Sequence, residues 1–208
     1  MNILAIETST KDASLCLMKG EEMRSTAVWQ AERNHDSFLF PALEKALSDL
    51  GEDTLDLILI GAGPGSYGGV RVALAAAVGI AAVKESKVIS ICSWLGLAPL
   101  NTGMVSDAKR GGWTVLKTTG EITVMTLDEL KDAIRQGLSI VTIESKETLD
   151  KHGLEAEQYD IKPTAEALIH AWRALPEAKQ EELKCTPAEP IYVRPPHITE
   201  AKRKPWQI

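Results

Sequence analysis

Gly61-Ala62-Gly63-Pro64-Gly65-Ser66-Tyr67-Gly68-Gly69-Val70-Arg71 is the stretch on which the fold turns. It follows the apolar run Leu57-Ile58-Leu59-Ile60 and precedes a segment without charge from Val72 to Val83. Strand, glycine loop, helix is an order that presents backbone N–H groups to an anion. Three loop chemistries fail against it. A phosphate-binding P-loop needs a lysine where Gly69 stands. Gly63, Gly65 and Gly68 match a dinucleotide fingerprint, but the next strand, Lys87 to Ile91, ends in Cys92-Ser93-Trp94 without the ribose-binding acid. A nucleophile elbow around Ser66 would need glycine where Pro64 fixes φ.

The uncharged segment decides more than the loop. Val70 to Val83 reads as a helix with one stripe at Val70, Ala73, Leu74, Ala77, Val78 and Ala81. The opposite side carries Val72, Ala75, Ala76, Gly79 and Ala82 or Val83. A surface helix needs one apolar side, and this one has no polar side after Arg71. A sheet covers one stripe. The other needs a second helix, a second lobe or another protein. Small side chains permit close approach, and Gly79 inside a helix costs about 1 kcal/mol relative to alanine, which calls for a packing reason.

Upstream, Asn2 to Ile6, Ala13 to Met18 and Glu22 to Trp29 read as strands, with a hairpin turn at Lys19-Gly20-Glu21. His35 to Leu50 is a helix with Leu39, Ala42, Leu43, Ala46, Leu47 and Leu50 on one face and Gly51 as its C-cap. Pro41 requires that this helix start near it or kink there. Downstream, Met104 to Ser106, Trp113 to Lys117, Glu121 to Met125 and Ser139 to Ile143 read as strands. Thr126 to Gln136 is a helix capped by Thr126 and Gly137, and Thr164 to Leu175 is another, bounded by Pro163 and Pro176. Glu177 to Lys184 reads as surface helix, and the tail from Pro195 as loop. Two mixed α/β halves result, 1–98 and 99–208, without a visible sequence repeat.

Across 208 residues, 44% hydrophobic, the net charge is −6, which excludes a surface built to grip nucleic acid by itself. Cys16, Cys92 and Cys185 are few, odd in number and far apart, as expected of buried thiols in a reducing compartment. No basic n-region precedes the first apolar residues, and the longest uncharged helical run is shorter than a bilayer requires, so a soluble cytoplasmic protein with no membrane contact is expected.

Five segments together resemble the TsaB family, also called YeaZ. They are Ile3-Leu4-Ala5-Ile6-Glu7-Thr8-Ser9-Thr10, Arg33-Asn34-His35-Asp36, Gly63 to Arg71, Asp107-Ala108-Lys109-Arg110 and Pro190-Ile191-Tyr192-Val193-Arg194-Pro195. The resemblance implies an actin-like ASKHA fold of two ribonuclease-H-like lobes. It implies a non-catalytic subunit of the bacterial machinery that makes N6-threonylcarbamoyladenosine on tRNA. The catalytic relative TsaD and the ATPase TsaE would be its partners, and tRNA would be met only through the complex. In the family the two helices after His35 and after the glycine loop contact TsaD, which carries over to His35, Leu39, Leu43, Leu47, Arg71, Val72, Ala75, Ala76 and Gly79. The same surface supports a homodimer when TsaD is absent. Glu7 stands where the family has Asp, Gly68 where it has Thr, and Gly112-Trp113-Thr114 where it has Glu-Val-Tyr.

Thr8-Ser9-Thr10 lies where ASKHA proteins meet phosphate; turn chemistry explains the same residues. No cofactor is expected on the isolated chain, with ATP or ADP at the complex seam as an option. Arg71 near a helix start opposes the macrodipole, so an acid such as Asp36 or a partner carboxylate should pair with it. No histidine has a second at i+3 or i+4, the spacing by which the catalytic relative holds a metal; His35 is followed at i+4 by Leu39. Neither catalytic residues nor a metal are therefore expected. Trp29, Trp94, Trp113 and Trp172 sit at core-type positions, and Lys202-Arg203-Lys204 form a basic tail. Two alternatives stay open: an autonomous ASKHA-type ATPase or kinase using Thr8 to Thr10 with Glu7, and a metallopeptidase.

Overall fold

The computed structural model describes residues 1–31, 34–99 and 101–193. The first sheet is built from β1 (Asn2–Glu7), β2 (Asp12–Lys19), β3 (Glu22–Gln30), β4 (Leu57–Gly61) and β5 (Lys87–Ile91), in the order β3-β2-β1-β4-β5. β1 to β3 form an antiparallel meander, whose second turn is closed by Gly20 at positive φ, while β4 and β5 run parallel to β1. β1 and β4 are apolar on both faces because both faces are covered. On one side, α1 (His35–Leu50) and α2 (Tyr67–Lys84) share a core with Leu4, Ile6, Ile58 and Ile60. On the other, α5 (Ala165–Ala174) packs against Ile3, Ala5, Leu57 and Leu59.

The second sheet, β6 (Thr102–Asp107), β7 (Gly112–Leu116), β8 (Ile122–Thr126) and β9 (Ser139–Thr142), has the order β8-β7-β6-β9. Order and direction reproduce the first sheet without its last strand: β6 pairs antiparallel with β7 and parallel with β9, as β1 does with β2 and β4. The duplication invisible in the residues is plain in the topology. α3 (Leu127–Arg135) and the short α4 (Lys146–Asp150) cover one face through Leu130 and Leu149. A division at residue 98 separates the two sheets. The chain then returns, because α5 and α6 (Glu177–Cys185) pack on the first sheet, where Ala165 N donates to Ser14 Oγ at 2.8 Å.

Several local expectations need adjustment. α2 begins at Tyr67, three residues before Val70, because the Ser66 hydroxyl accepts from Gly69 N at 3.2 Å and caps the helix there. α1 runs unbroken through the exposed Pro41, whose ring leaves the Ser37 carbonyl without its i+4 N–H donor. Thr126 caps α3 through a reciprocal pair with Glu129, but the C-cap is Gln136, with Gly137 one residue beyond. α4, capped by Ser145, had no periodicity to announce it over five residues. The four described tryptophans are buried as expected. Of the three free cysteines only Cys16 is buried, while Cys185 is exposed on the polar α6. Arg33, Arg194, Pro195, His197 and Lys202-Arg203-Lys204 lie outside the described residues.

Candidate functional site

α2 is the least covered of the long helices. Gly69, Val70, Ala73 and Ala77 are buried against the sheet, but Val78 and Val83 are 53% and 81% exposed. The stripe turned inward is therefore narrower than Val70 to Ala81 suggested. With 18 residues and a mean hydropathy of 1.4, α2 is by length and composition long and apolar enough to cross a membrane, although it includes Arg71 and Lys84 and its uncharged run is only Val72 to Val83. Its inward stripe is nonetheless packed on β1, β4 and β5, which makes it an ordinary helix of the lobe.

The outward stripe forms one wall of a groove of about 770 Å³. Val72, Ala75, Ala76, Gly79, Ile80 and Val83 come from α2. Phe40, Leu43 and Leu47 come from α1, with Asp36, Glu44 and Lys84 at the rim. A Cβ placed on Gly79 would meet no atom within 4 Å. Among the described residues, the helix therefore carries a glycine for which nothing gives a packing reason.

The nine expected contact residues divide. Leu47, Val72, Ala75, Ala76 and Gly79 line the groove, and Leu43 reaches it from a largely buried position. Leu39 does not: it is 0% exposed within the core beneath α1. His35, the first residue of α1, is 3% exposed, and burial holds its pKa below the ordinary value. Neither offers side-chain surface to a partner while α1 is seated. Arg71 is exposed, but among the described residues it has no acidic partner; its guanidinium lies 4.9 Å from the Tyr67 ring centre and donates to Tyr67 Oη at 2.9 Å. The expected pairing with Asp36 is replaced by one with an aromatic ring a helical turn away. Phe40 is 56% exposed. Its signal was the triplet Phe38-Leu39-Phe40, which cannot face one side of a helix at 100° per residue.

A second depression, about 750 Å³, flanks the other side of α2 and shares Val72 and Ala75 with the groove. Its wall is the C-terminal segment. Ile191 N donates to Ala62 O at 2.8 Å, and the Tyr192 ring lies 5.3 Å from that of Tyr67.

Thr8 and Ser9 are closed off, whereas Thr10 is half-buried at the edge of a cleft of about 300 Å³ that Lys11, Glu144 and Lys162 also line. Thr8 and Ser9 are 0% and 2% exposed. The Thr8 hydroxyl donates to Gly69 O at 2.9 Å and that of Thr10 to Asp12 O at 2.7 Å. The glycine loop lies directly on this turn: Ser66 N donates to Ser9 O at 2.6 Å, and a Cβ on Gly65 or Gly69 would collide with the carbonyl of Ser9 or Thr8. That is why glycine occupies both positions. With the loop so placed, the side chains of Thr8 and Ser9 are shut away from solvent. Glu7 is wholly buried beneath the same loop and accepts from Ser9 N at 2.7 Å. Burial raises its pKa above the ordinary carboxylate value, against hydrogen bonds from Ser9 and Ser93 that pull it down.

Among the described residues no three His, Cys, Asp or Glu side chains are gathered to hold a metal. His152 stands edge-on to Trp113, and His170 lies 3.6 Å from Glu166 on the exposed side of α5.

Comparison with known proteins agrees with this architecture. Residues 29–152, more than half of the chain, match the family model described as TsaD, tRNA N6-adenosine threonylcarbamoyltransferase. The chain is 34% identical over 101 residues to the tRNA threonylcarbamoyladenosine biosynthesis protein TsaB of Haemophilus influenzae, covering 47% of this chain and 42% of that one. It is 29% identical over 119 residues to TsaB of Bacillus subtilis, covering 53% and 52%. The matches thus span about half the length of these curated relatives. YeaZ from Pseudomonas aeruginosa superposes with a TM-score of 0.64 at 19% identity over 92% of this chain and 99% of that one. A Pseudomonas aeruginosa protein described as similar to peptidase YeaZ does so at 0.66 and 22%, over 93% and 99%. At such identities the likeness establishes the fold alone, an α/β architecture with two mixed sheets.

Proposed function

The chain belongs to the TsaB (YeaZ) family of tRNA threonylcarbamoyladenosine biosynthesis, and on that premise we propose that it is a non-catalytic subunit that binds and activates TsaD. The observation that carries this reading is the uncovered face of α2, with Gly79 open beside the groove. A helix of small side chains loses stability at its glycine, and a helix from another protein approaching closely restores it through packing. The partner is bound by the α1–α2 groove, and by favouring one conformation of TsaD it shifts TsaD toward that conformation. TsaE joins the same assembly, and tRNA is met only through it. Without TsaD, the groove pairs with a second copy of the chain. The compartment is the cytoplasm, where tRNA is modified.

The buried Thr8–Ser9 turn argues against an autonomous ATPase or kinase. ATP or ADP belongs instead to the seam with TsaD. Co-purification with TsaD of the same organism, followed by a modification assay on tRNA, tests the reading. Loss of modification on omitting this chain supports it. Full modification by TsaD and TsaE alone overturns it, and turnover of magnesium–ATP by the isolated chain would favour the enzyme.

A further inference from the structure

Beside the first turn of α2 the two lobes meet, and the surface at that junction is aromatic and cationic. Tyr67 and Tyr192 are each 49% exposed, with ring centres 5.3 Å apart. The Arg71 guanidinium lies against the same Tyr67 ring. Both rings line a depression of about 160 Å³ that Ala108 of the second lobe also lines. Ala108 opens the turn between β6 and β7, in which Lys109, Arg110 and Gly111 have φ of 62°, 52° and 73°. Lys109 and Arg110 are both exposed. Lys109 pairs with Asp107 at 3.2 Å, whereas among the described residues no acid pairs with Arg110. Glycine or asparagine holds a left-handed position at lower cost than arginine does. The backbone of the turn therefore supplies no reason for a cation at residue 110.

We propose that Tyr192 and Tyr67, with Arg110 and Lys109 beside them, are a contact for an unpaired stretch of tRNA, used within the assembly with TsaD. The identity of the ligand rests on the function proposed above; the juxtaposition of rings and cations does not. Exposed rings on which bases stack, flanked by cations for the phosphates, are the means by which proteins hold single-stranded nucleic acid. An acidic protein segment would satisfy the cations and leave the ring faces unused, which favours RNA. A few cations on a chain of net charge −6 are too few to hold RNA alone. The contact therefore adds to the grip of the assembly and does not replace it. None of the four residues lines the α1–α2 groove, so the groove and this patch take different occupants.

Fluorescence anisotropy of labelled tRNA titrated with the TsaD complex reads the contact, and calorimetry of each variant against TsaD is its control. Tyr192→Ala should weaken tRNA binding about 5-fold or more at unchanged affinity for TsaD. Tyr192→Phe, which keeps the ring, should bind as the unmodified chain does. Arg110→Gly should weaken tRNA binding and lower the slope of log affinity against log salt by about one. It should do so without lowering the unfolding midpoint, because glycine suits a φ of 52°. Unchanged tRNA affinity in Tyr192→Ala and Arg110→Gly, with TsaD still bound, overturns the proposal and leaves the proposed function standing. So does a loss of TsaD affinity in the same proportion, which assigns the patch to a protein contact. Binding by Tyr192→Phe as weak as by Tyr192→Ala excludes stacking on the ring and has the same consequence. Failure of the unmodified chain to bind TsaD sinks the function instead. The patch is then judged on the isolated chain, by ultraviolet crosslinking to a single-stranded uridine oligonucleotide at low salt. A crosslink at Tyr192 or Tyr67 keeps the RNA contact, and none at either ring removes it.

Discussion

Gly69 rests on the carbonyl of Thr8, and the Thr8 hydroxyl returns a 2.9 Å hydrogen bond to the carbonyl of Gly69. Through this reciprocal contact the glycine loop closes the turn after β1 and sets where α2 begins.

The contact separates two glycines of one helix. Gly69→Ala forces a methyl into the Thr8 carbonyl and should destabilise the protein by about 1–3 kcal/mol. Gly79→Ala meets nothing and should stabilise the isolated chain by up to about 1 kcal/mol through helix propensity. Urea unfolding of the two variants checks both signs.

Leu39 belongs to the core and not to the proposed partner surface. Leu39→Ala should cost about 2–5 kcal/mol in unfolding free energy. The fraction that remains folded should bind TsaD as the unmodified chain does. A large loss of affinity without loss of stability would contradict its placement.

The buried Glu7 makes stability pH-dependent in a defined sense. Its folded pKa lies above the unfolded value near 4.5, so the unfolded chain releases this proton first. The contribution to stability is full below pH 4.5, declines as pH rises toward the folded pKa, and is constant beyond it. Glu7→Gln, still able to accept from Ser9 N, should remove that decline. Denaturation midpoints across the pH range measure it.

His35 gives the opposite dependence. Its folded pKa is depressed by burial, so stability is retained above the unfolded value of 6.5 and lost as pH falls below it. Hydrogen exchange in the first turns of α1 should accelerate on acidification below that value, and His35→Gln should flatten the response.

Much of this was legible because it is local. The apolar runs of β1 and β4 announce strands covered on both faces, Thr126 with Glu129 announces a capped helix, and the absence of a polar stripe on α2 announces an uncovered side. What escaped depends on contacts between distant residues. One stripe of α1 holds both Leu39, in the core, and Leu47, in the groove, and helical periodicity cannot say where the sheet beneath it ends. Thr8 and Ser9 read as an open turn until Gly69 and Gly65 are laid on them. Arg71 reads as a cation that needs an acid until the Tyr67 ring is found beside it, with Tyr192 against the same ring. The return of α5 to the first sheet rests on Ala165, Leu168, Ile169 and Trp172 packing against Ile3, Ala5, Leu57 and Leu59, with the Ala165–Ser14 hydrogen bond beside them, and no local pattern points to these partners.

The central claim is that the open face of α2 is where TsaD binds. Titration calorimetry of the chain against TsaD of the same organism, with and without Gly79→Arg, tests it most directly. The unmodified chain should bind. The variant, with an unchanged unfolding midpoint, should lose at least about 100-fold in affinity, because a guanidinium would be buried unpaired at the contact. Equal affinity for both chains would show that TsaD meets this protein somewhere else.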